Sequence, residues 1–137
     1  MEELGVRRHE SPEPGAQAVL NENREIVLRH FDDFNSHNTT RLLAGLRSDV
    51  EWATGQDLIR GKAQVEEIFD DGLWDLSPSL YPELLVIEGR RAAARCRESI
   101  VIDGSECEFQ IAIFFEIRDG LIASIKVYRE GSADLPT

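Results

Sequence analysis

Cysteine is scarce in this chain: only Cys96 and Cys107 occur in 137 residues, and neither belongs to a CxxC or Cys/His pair of the kind that holds zinc. They flank an Asp-Gly pair in strand-like stretches and read as reduced sheet residues, since a cross-strand disulfide needs an oxidising compartment. Long hydrophobic runs are missing too. No stretch approaches the roughly 18 apolar residues of a membrane helix, and the opening MEELGVRRHESPEPG lacks the apolar centre of an export signal, so the cytoplasm is the expected location. Basic residues are outnumbered, 15 against 26 acidic, for a formal charge of -11. Such a field repels nucleic acid and anionic membranes, and neither is expected as a partner. The P-loop, the dinucleotide glycine fingerprint and the nucleophile elbow are absent, so no cofactor is implied. The acidic group Glu66, Glu67, Asp70, Asp71 and Asp75 has alternate members facing solvent and no histidine at ligand spacing, so no metal site is expected there.

What is present describes one domain. A hydrophobic fraction of 42% in a chain of this length buries roughly two thirds of the unfolded surface without a covalent staple. Residues 1–17 carry prolines, glycines and charges without periodicity and read as a flexible arm, leaving 18–137 as the domain. From Leu20 to Asn35, Ile26, Val27, His30, Phe31 and Phe34 recur at three- and four-residue spacing, which defines one face of a helix. Thr39 or Thr40 caps a second, short helix carrying Leu42, Leu43 and Leu46. Val50 to Thr54 is a short strand, and after a loop with Gly55 and Gly61 the stretch Ala63 to Trp74 sets Val65, Ile68, Phe69 and Leu73 on a third helical face. Beyond Ser77-Pro78 the period becomes two. Strands are expected at 81–88, 91–102, 105–117 and 121–130, separated by Glu88-Gly89-Arg90, Asp103-Gly104 and Asp119-Gly120.

Alternation then assigns the faces. Cys107, Phe109, Ile111, Ile113, Phe115 and Ile117 share the core side of their strand. A two-residue turn at Asp103-Gly104 pairs Ile102 with Ser105, which places Ile100 opposite Cys107, Glu98 opposite Phe109 and Cys96 opposite Ile111. Glu98 therefore faces inward. At Arg118-Asp119-Gly120 a three-residue loop with a glycine bulge sets Ile117 opposite Leu121 and brings Ala123, Ile125 and Val127 to the inner face.

The order helix, helix, strand, helix, four strands, together with NREIVLRHFDDFNSHNTTRLLAGLRSDVEW, GKAQVEEIF and FFEIRDGLIASIKVYRE, resembles the SnoaL-like and nuclear-transport-factor-2-like superfamily from about Glu22 to Glu130. The resemblance implies an α+β fold in which three N-terminal helices pack in a strongly curved, mixed but mostly antiparallel sheet, a cone-shaped α+β barrel with an apolar pocket at its open end. It also implies a homodimer. Members include isomerases, epoxide hydrolases, cyclases, dehydratases and non-catalytic binding modules, so the fold alone does not choose a reaction. The ketosteroid-isomerase tyrosine falls at His30, its general base at Trp52 and its oxyanion-hole acid at Ile113, which argues against that constellation. Arg95, Arg97 and Glu98 lie near epoxide-hydrolase positions, but the last-strand acid of that pattern, and of SnoaL-type cyclases, falls at Val127.

Two candidates for chemistry remain. Glu98 is the one carboxylate on an apolar strand face, where burial favours its neutral form and suits a general acid or base; turned outward it would be an ordinary cross-strand charge partner of Arg95 or Arg97. His30 sits on the core face of the first helix, where it either hydrogen-bonds a ligand oxygen or Glu98, or is a satisfied core histidine. Trp52 and Thr54 point from the first strand to the mouth of the cone, Phe69, Leu73 and Trp74 close the pocket from the third helix, and Phe109, Ile111, Ile113, Ile125 and Val127 line it from the sheet. The expected ligand is a small hydrophobic molecule. Turnover without a cofactor by isomerisation, cyclisation, hydrolysis or dehydration stands beside a non-catalytic ligand-binding or dimerisation role. On the outer sheet face Ala93, Ala112, Phe114 and Tyr128 mix with Arg95, Arg97, Glu108, Gln110 and Lys126, a composition suited to a sheet-to-sheet homodimer.

Overall fold

The computed structural model describes residues 14–130. Helix α1 (Pro14–Asn35) starts six residues before Leu20. Its first turn accepts Pro14 because an N–H there has no helical partner to lose. The remainder of the expected arm, residues 1–13, lies outside the described residues, as do 131–137. Val27, Phe31 and Phe34 are buried on the side that α1 lays against the sheet, with His30 among them. His37 adopts a left-handed backbone at the helix end (φ 53). Just before it, the Asn35 side chain clamps Leu80: Nδ2 donates to the Leu80 carbonyl at 2.8 Å and the Leu80 N–H donates to Oδ1 at 2.7 Å. This ties the end of α1 to the strand beside Glu98. Asn38, rather than Thr39 or Thr40, caps α2 (Thr39–Ala44), its side-chain oxygen accepting from the Arg41 N–H at 3.0 Å. Asparagine outranks threonine at this position.

Six strands follow: β1 (Leu46–Thr54), β2 (Asp57–Arg60), β3 (Ser79–Glu88), β4 (Arg91–Ile102), β5 (Ser105–Arg118) and β6 (Leu121–Arg129). They lie in the order β2-β1-β6-β5-β4-β3, with β1 and β6 parallel and every other pair antiparallel. The sheet is curved and unclosed, with the helices packed on its inner face. Leu46, expected in the second helix, instead opens β1 and pairs with Ile122. β2 forms where the sequence pattern predicts a loop. Its four residues are too few for alternation to register, yet they fold back on β1 from Thr54↔Asp57 to Glu51↔Arg60. Helix α3 (Gly61–Asp70) stops before Trp74, because Gly72 (φ 141) redirects the chain into a 3-10 turn, Leu73–Leu76.

The β4–β5 register agrees with the sequence reading at every pair named: Ile102↔Ser105, Ile100↔Cys107, Glu98↔Phe109 and Cys96↔Ile111. Asp103 and Gly104 hold the positive φ angles, 51 and 80, that a two-residue hairpin turn needs. The β5–β6 hairpin departs from expectation. Asp119 and Gly120 also both take positive φ, so the loop has two residues, Arg118 pairs with Leu121, and Ile117 pairs with Ile122. The bulge is displaced into the strand between Ile122 and Ser124. Ile122 occupies the buried place, Ala123 falls at the bulge, and Ile125 and Val127 keep the inner face opposite Phe115 and Ile113. Cys96 is buried, Cys107 is half-buried, and both are free. Burial, with the charges of Glu83 and Glu98, pushes the Cys96 thiol up to about 12, which makes it a packing residue.

Candidate functional site

Between α1, α3 and the inner sheet face lies a cavity of about 450 Å³, the size of a site for one small molecule. Aromatic side chains build one wall. Trp52, inward on β1, stands 5.7 Å from the His30 ring and 5.5 Å from Phe69 on α3, while Phe34 completes the α1 side. Ile111, Ile113, Ile125 and Val127 form an aliphatic floor from β5 and β6. At the rim, Asp57, Leu58, Gln64, Glu67 and Ile68 are all exposed.

Four polar side chains interrupt this apolar surface. Glu98 is only 6% exposed, and Arg129 on β6 reaches it with two hydrogen bonds: Nε donates to Oε1 at 2.9 Å and a terminal nitrogen to Oε2 at 3.0 Å. The other terminal nitrogen of Arg129 donates to Thr54 Oγ1 at 3.2 Å. A carboxylate leaving water requires such a partner, and the planar guanidinium supplies both donors at once. Glu98 is therefore inward but not isolated, and its partner is neither Arg95 nor Arg97. Arg97 donates to Glu108 at 2.9 Å on the opposite face.

His30 meets the desolvation problem differently. It is 5% exposed, its ring packs edge-on to Phe31 and Phe115, and no described residue hydrogen-bonds the imidazole. Burial lowers its pKa from 6.5 to about 4, so at physiological pH the ring is neutral, with one N–H to donate and one lone pair to accept. The expected His30–Glu98 hydrogen bond is absent among the described residues; both Glu98 oxygens accept from Arg129 instead. His30 also edges a second cavity of about 230 Å³ near Asp33 and Arg41.

Ten expected site residues meet at the larger cavity: His30, Trp52, Thr54, Phe69, Leu73 and Glu98, with the four residues of the floor. Trp74 and Phe109 do not. The turn after Gly72 carries Trp74 behind Phe69, where it stacks on His37 at 4.7 Å and donates Nε1–H to Thr39 Oγ1 at 2.8 Å. Phe109, opposite Glu98 on β4, is half-buried against the core and does not reach the cavity wall. Arg129 itself was missed. Its signal was available, since alternation from Ile125 through Val127 continues to Arg129, paired with Ile111. The rim residues on β2 were missed with their strand. Among the described residues no group of three His, Cys, Asp or Glu side chains is gathered as a metal cage.

The sequence profile described as a SnoaL-like domain matches residues 27–125. No curated protein matches the chain. Among solved structures, the LEH-like epoxide hydrolase of M. tuberculosis superimposes with a TM-score of 0.75 at 16% identity, covering 81% of this chain and 84% of the other. A candidate polyketide cyclase from Xanthomonas campestris pv. campestris gives 0.73 at 20% identity, covering 80% and 90%. A candidate ketosteroid isomerase from Kribbella flavida gives 0.73 at 21% identity, covering 86% and 84%. At these identities the likeness establishes a shared fold, the cone of the nuclear-transport-factor-2-like proteins, and leaves the chemistry to the residues.

Proposed function

The chain belongs to the SnoaL-like domain family, and from that premise we propose that it binds one small hydrophobic molecule in the cavity and transforms it without a cofactor by proton transfer at Glu98. The observation carrying this reading is a hydrogen-bonded Glu98–Arg129 pair set into the wall of a largely apolar cavity of about 450 Å³. Burial of the Glu98 carboxylate strengthens its bond to Arg129, the guanidinium aims the carboxylate, and Thr54 holds the guanidinium. Glu98 takes a proton from an acidic carbon or an attacking hydroxyl, and Arg129 holds the carboxylate in position for that transfer. Neutral His30, across the cavity, hydrogen-bonds the ligand oxygen and fixes its orientation. Isomerisation, cyclisation, epoxide opening and dehydration all fit this arrangement.

A second reading rests on one specific observation: both Glu98 oxygens already accept from Arg129, the arrangement of a structural pair in a binding module. Substrate screening with cyclic ketones, epoxides and polyketide-like compounds separates the two. In Glu98→Gln, turnover should fall at least about 10²-fold while ligand affinity changes less than about threefold. Unchanged turnover would remove Glu98 as the base, binding without turnover of any screened compound would favour the binding-module reading, and a thermal melt of the variant excludes simple unfolding.

We infer in addition that a second copy of the chain covers the outer sheet face, where Phe114 and Tyr128 stack edge to face at 5.7 Å and both remain about half exposed. Leu84 and Val86 on β3 extend this apolar row, and charges of both signs surround it, as a self-complementary interface requires. Action in the reducing cytoplasm accords with two free thiols.

A further inference from the structure

Charge on the cavity wall is unbalanced. Three carboxylates border it, Asp57, Glu67 and Glu98, against one guanidinium, Arg129, which is committed to Glu98 and Thr54. His30 adds no positive charge, because burial holds it neutral. Asp57 at the start of β2 and Glu67 on α3 stand on the exposed rim, and neither makes an ion pair with a described residue. Arg60 lies nearby in sequence but pairs with Glu51 at 3.6 Å. The interior offers a cation further attraction. Trp52, Phe34 and Phe69 present π-systems to the cavity, and the chain as a whole carries -11.

Acting together, these features sort ligands by charge. A carboxylate or phosphate entering past Asp57 and Glu67 meets like charge and finds no uncommitted cation within. A ring compound with a protonated amine buries its apolar body against Trp52 and Phe69 and leaves the ammonium at the rim, solvated and opposite two carboxylates. We propose that the ligand of this cavity is a small cyclic amine or its uncharged equivalent, never an anion, and that Asp57 and Glu67 are the residues that select it. The proposal rests on the cavity being the ligand site and narrows the chemistry of what enters.

Three probes with one apolar body test it: 1-adamantylmethylamine, 1-adamantylmethanol and 1-adamantanecarboxylate. The indole N–H signals of Trp52 and Trp74 report binding by NMR, Trp52 from the cavity wall and Trp74 from behind Phe69 as an internal control. The amine should bind about five- to tenfold more tightly than the alcohol, and the carboxylate weaker by a similar factor, as expected of two partly screened rim charges. In the double variant Asp57→Asn/Glu67→Gln the three affinities should converge to within about twofold with the alcohol unchanged. Raising the salt to 0.5 M should narrow the gap in the unmodified protein. Binding of all three with equal affinity, or a ranking that survives the double variant, overturns the charge selection and leaves the cavity reading intact. Failure of the alcohol to shift Trp52 at all overturns both.

Discussion

On the inner face of β4, β5 and β6 the strands carry Cys96, Ile111, Ile113 and Ile125, and among these apolar residues stand Glu98 and Arg129. On the outer face the same strands carry Arg95, Arg97, Glu108 and Lys126, and among these stand Phe114 and Tyr128. Each face thus holds a pair of residues that belong by type to the other. The inward pair satisfies itself, since a buried charge without a partner costs several kcal/mol. The outward pair does not: two stacked aromatic rings remain half in water, which costs the monomer little and leaves their purpose to something outside it. Under the proposed function, the inward violation of alternation serves chemistry at the cavity and the outward one serves association.

The largest effect sharpening this contrast belongs to His30, the inward group that gives up its charge. Its folded pKa of about 4 lies below the 6.5 of the unfolded chain, so the unfolded state binds the proton first as the pH falls. The group leaves stability untouched above about pH 7, erodes it as pH drops below 6.5, and completes the loss near pH 4, at about 3 kcal/mol. Denaturant unfolding of the wild type and of His30→Phe at pH 7, 5.5 and 4 measures it. The variant should lack that portion of the acid loss, and parallel pH profiles would remove His30 as the cause.

Breaking the inward pair comes next. Arg129→Ala leaves Glu98 buried with an unmatched charge and should cost about 2 kcal/mol, less than the roughly 3–5 of a fully buried pair because the Arg129 side chain is 40% exposed. Glu98→Gln leaves the half-solvated arginine instead and should cost about 1 kcal/mol. The asymmetry is the test. Equal losses in urea unfolding would mean that the pair behaves as an ordinary surface salt bridge.

How much of this was legible in the sequence varies with the kind of constraint. The β4–β5 register followed from one Asp-Gly turn and period-two alternation, and with it the inward direction of Glu98. At Asp119-Gly120 the same chemistry gave the correct face but the wrong pairing, because a bulge residue can sit in the loop or in the strand and the apolar pattern tolerates both. β2 was invisible, since four residues with exposed Leu58 and Arg60 show no alternation and owe their strand to β1 alongside. Trp74 leaves the position that helical periodicity predicts because Gly72 (φ 141) ends that periodicity. Arg129 could have been read from alternation, but its bond to Glu98 depends on strand curvature and side-chain reach, which a linear pattern does not encode.

The smallest effect on folding comes from the outer face, and it tests the other half of the contrast. Phe114 is 51% exposed at the middle of the sheet, paired across β4 with Ala93 and across β6 with Lys126. Because the ring is already half in water, Phe114→Lys should change monomer stability by no more than about 0.5 kcal/mol. In the proposed dimer the same position is central, and a lysine there faces its own copy across the two-fold axis, adding like-charge repulsion to the loss of an aromatic anchor. The wild type should elute in sizing experiments as a dimer and the variant as a folded monomer, with both cavities still binding 1-adamantylmethanol alike. A variant that remains dimeric places the interface elsewhere, and a wild type that is monomeric at 100 µM leaves the outer aromatic pair to a different partner.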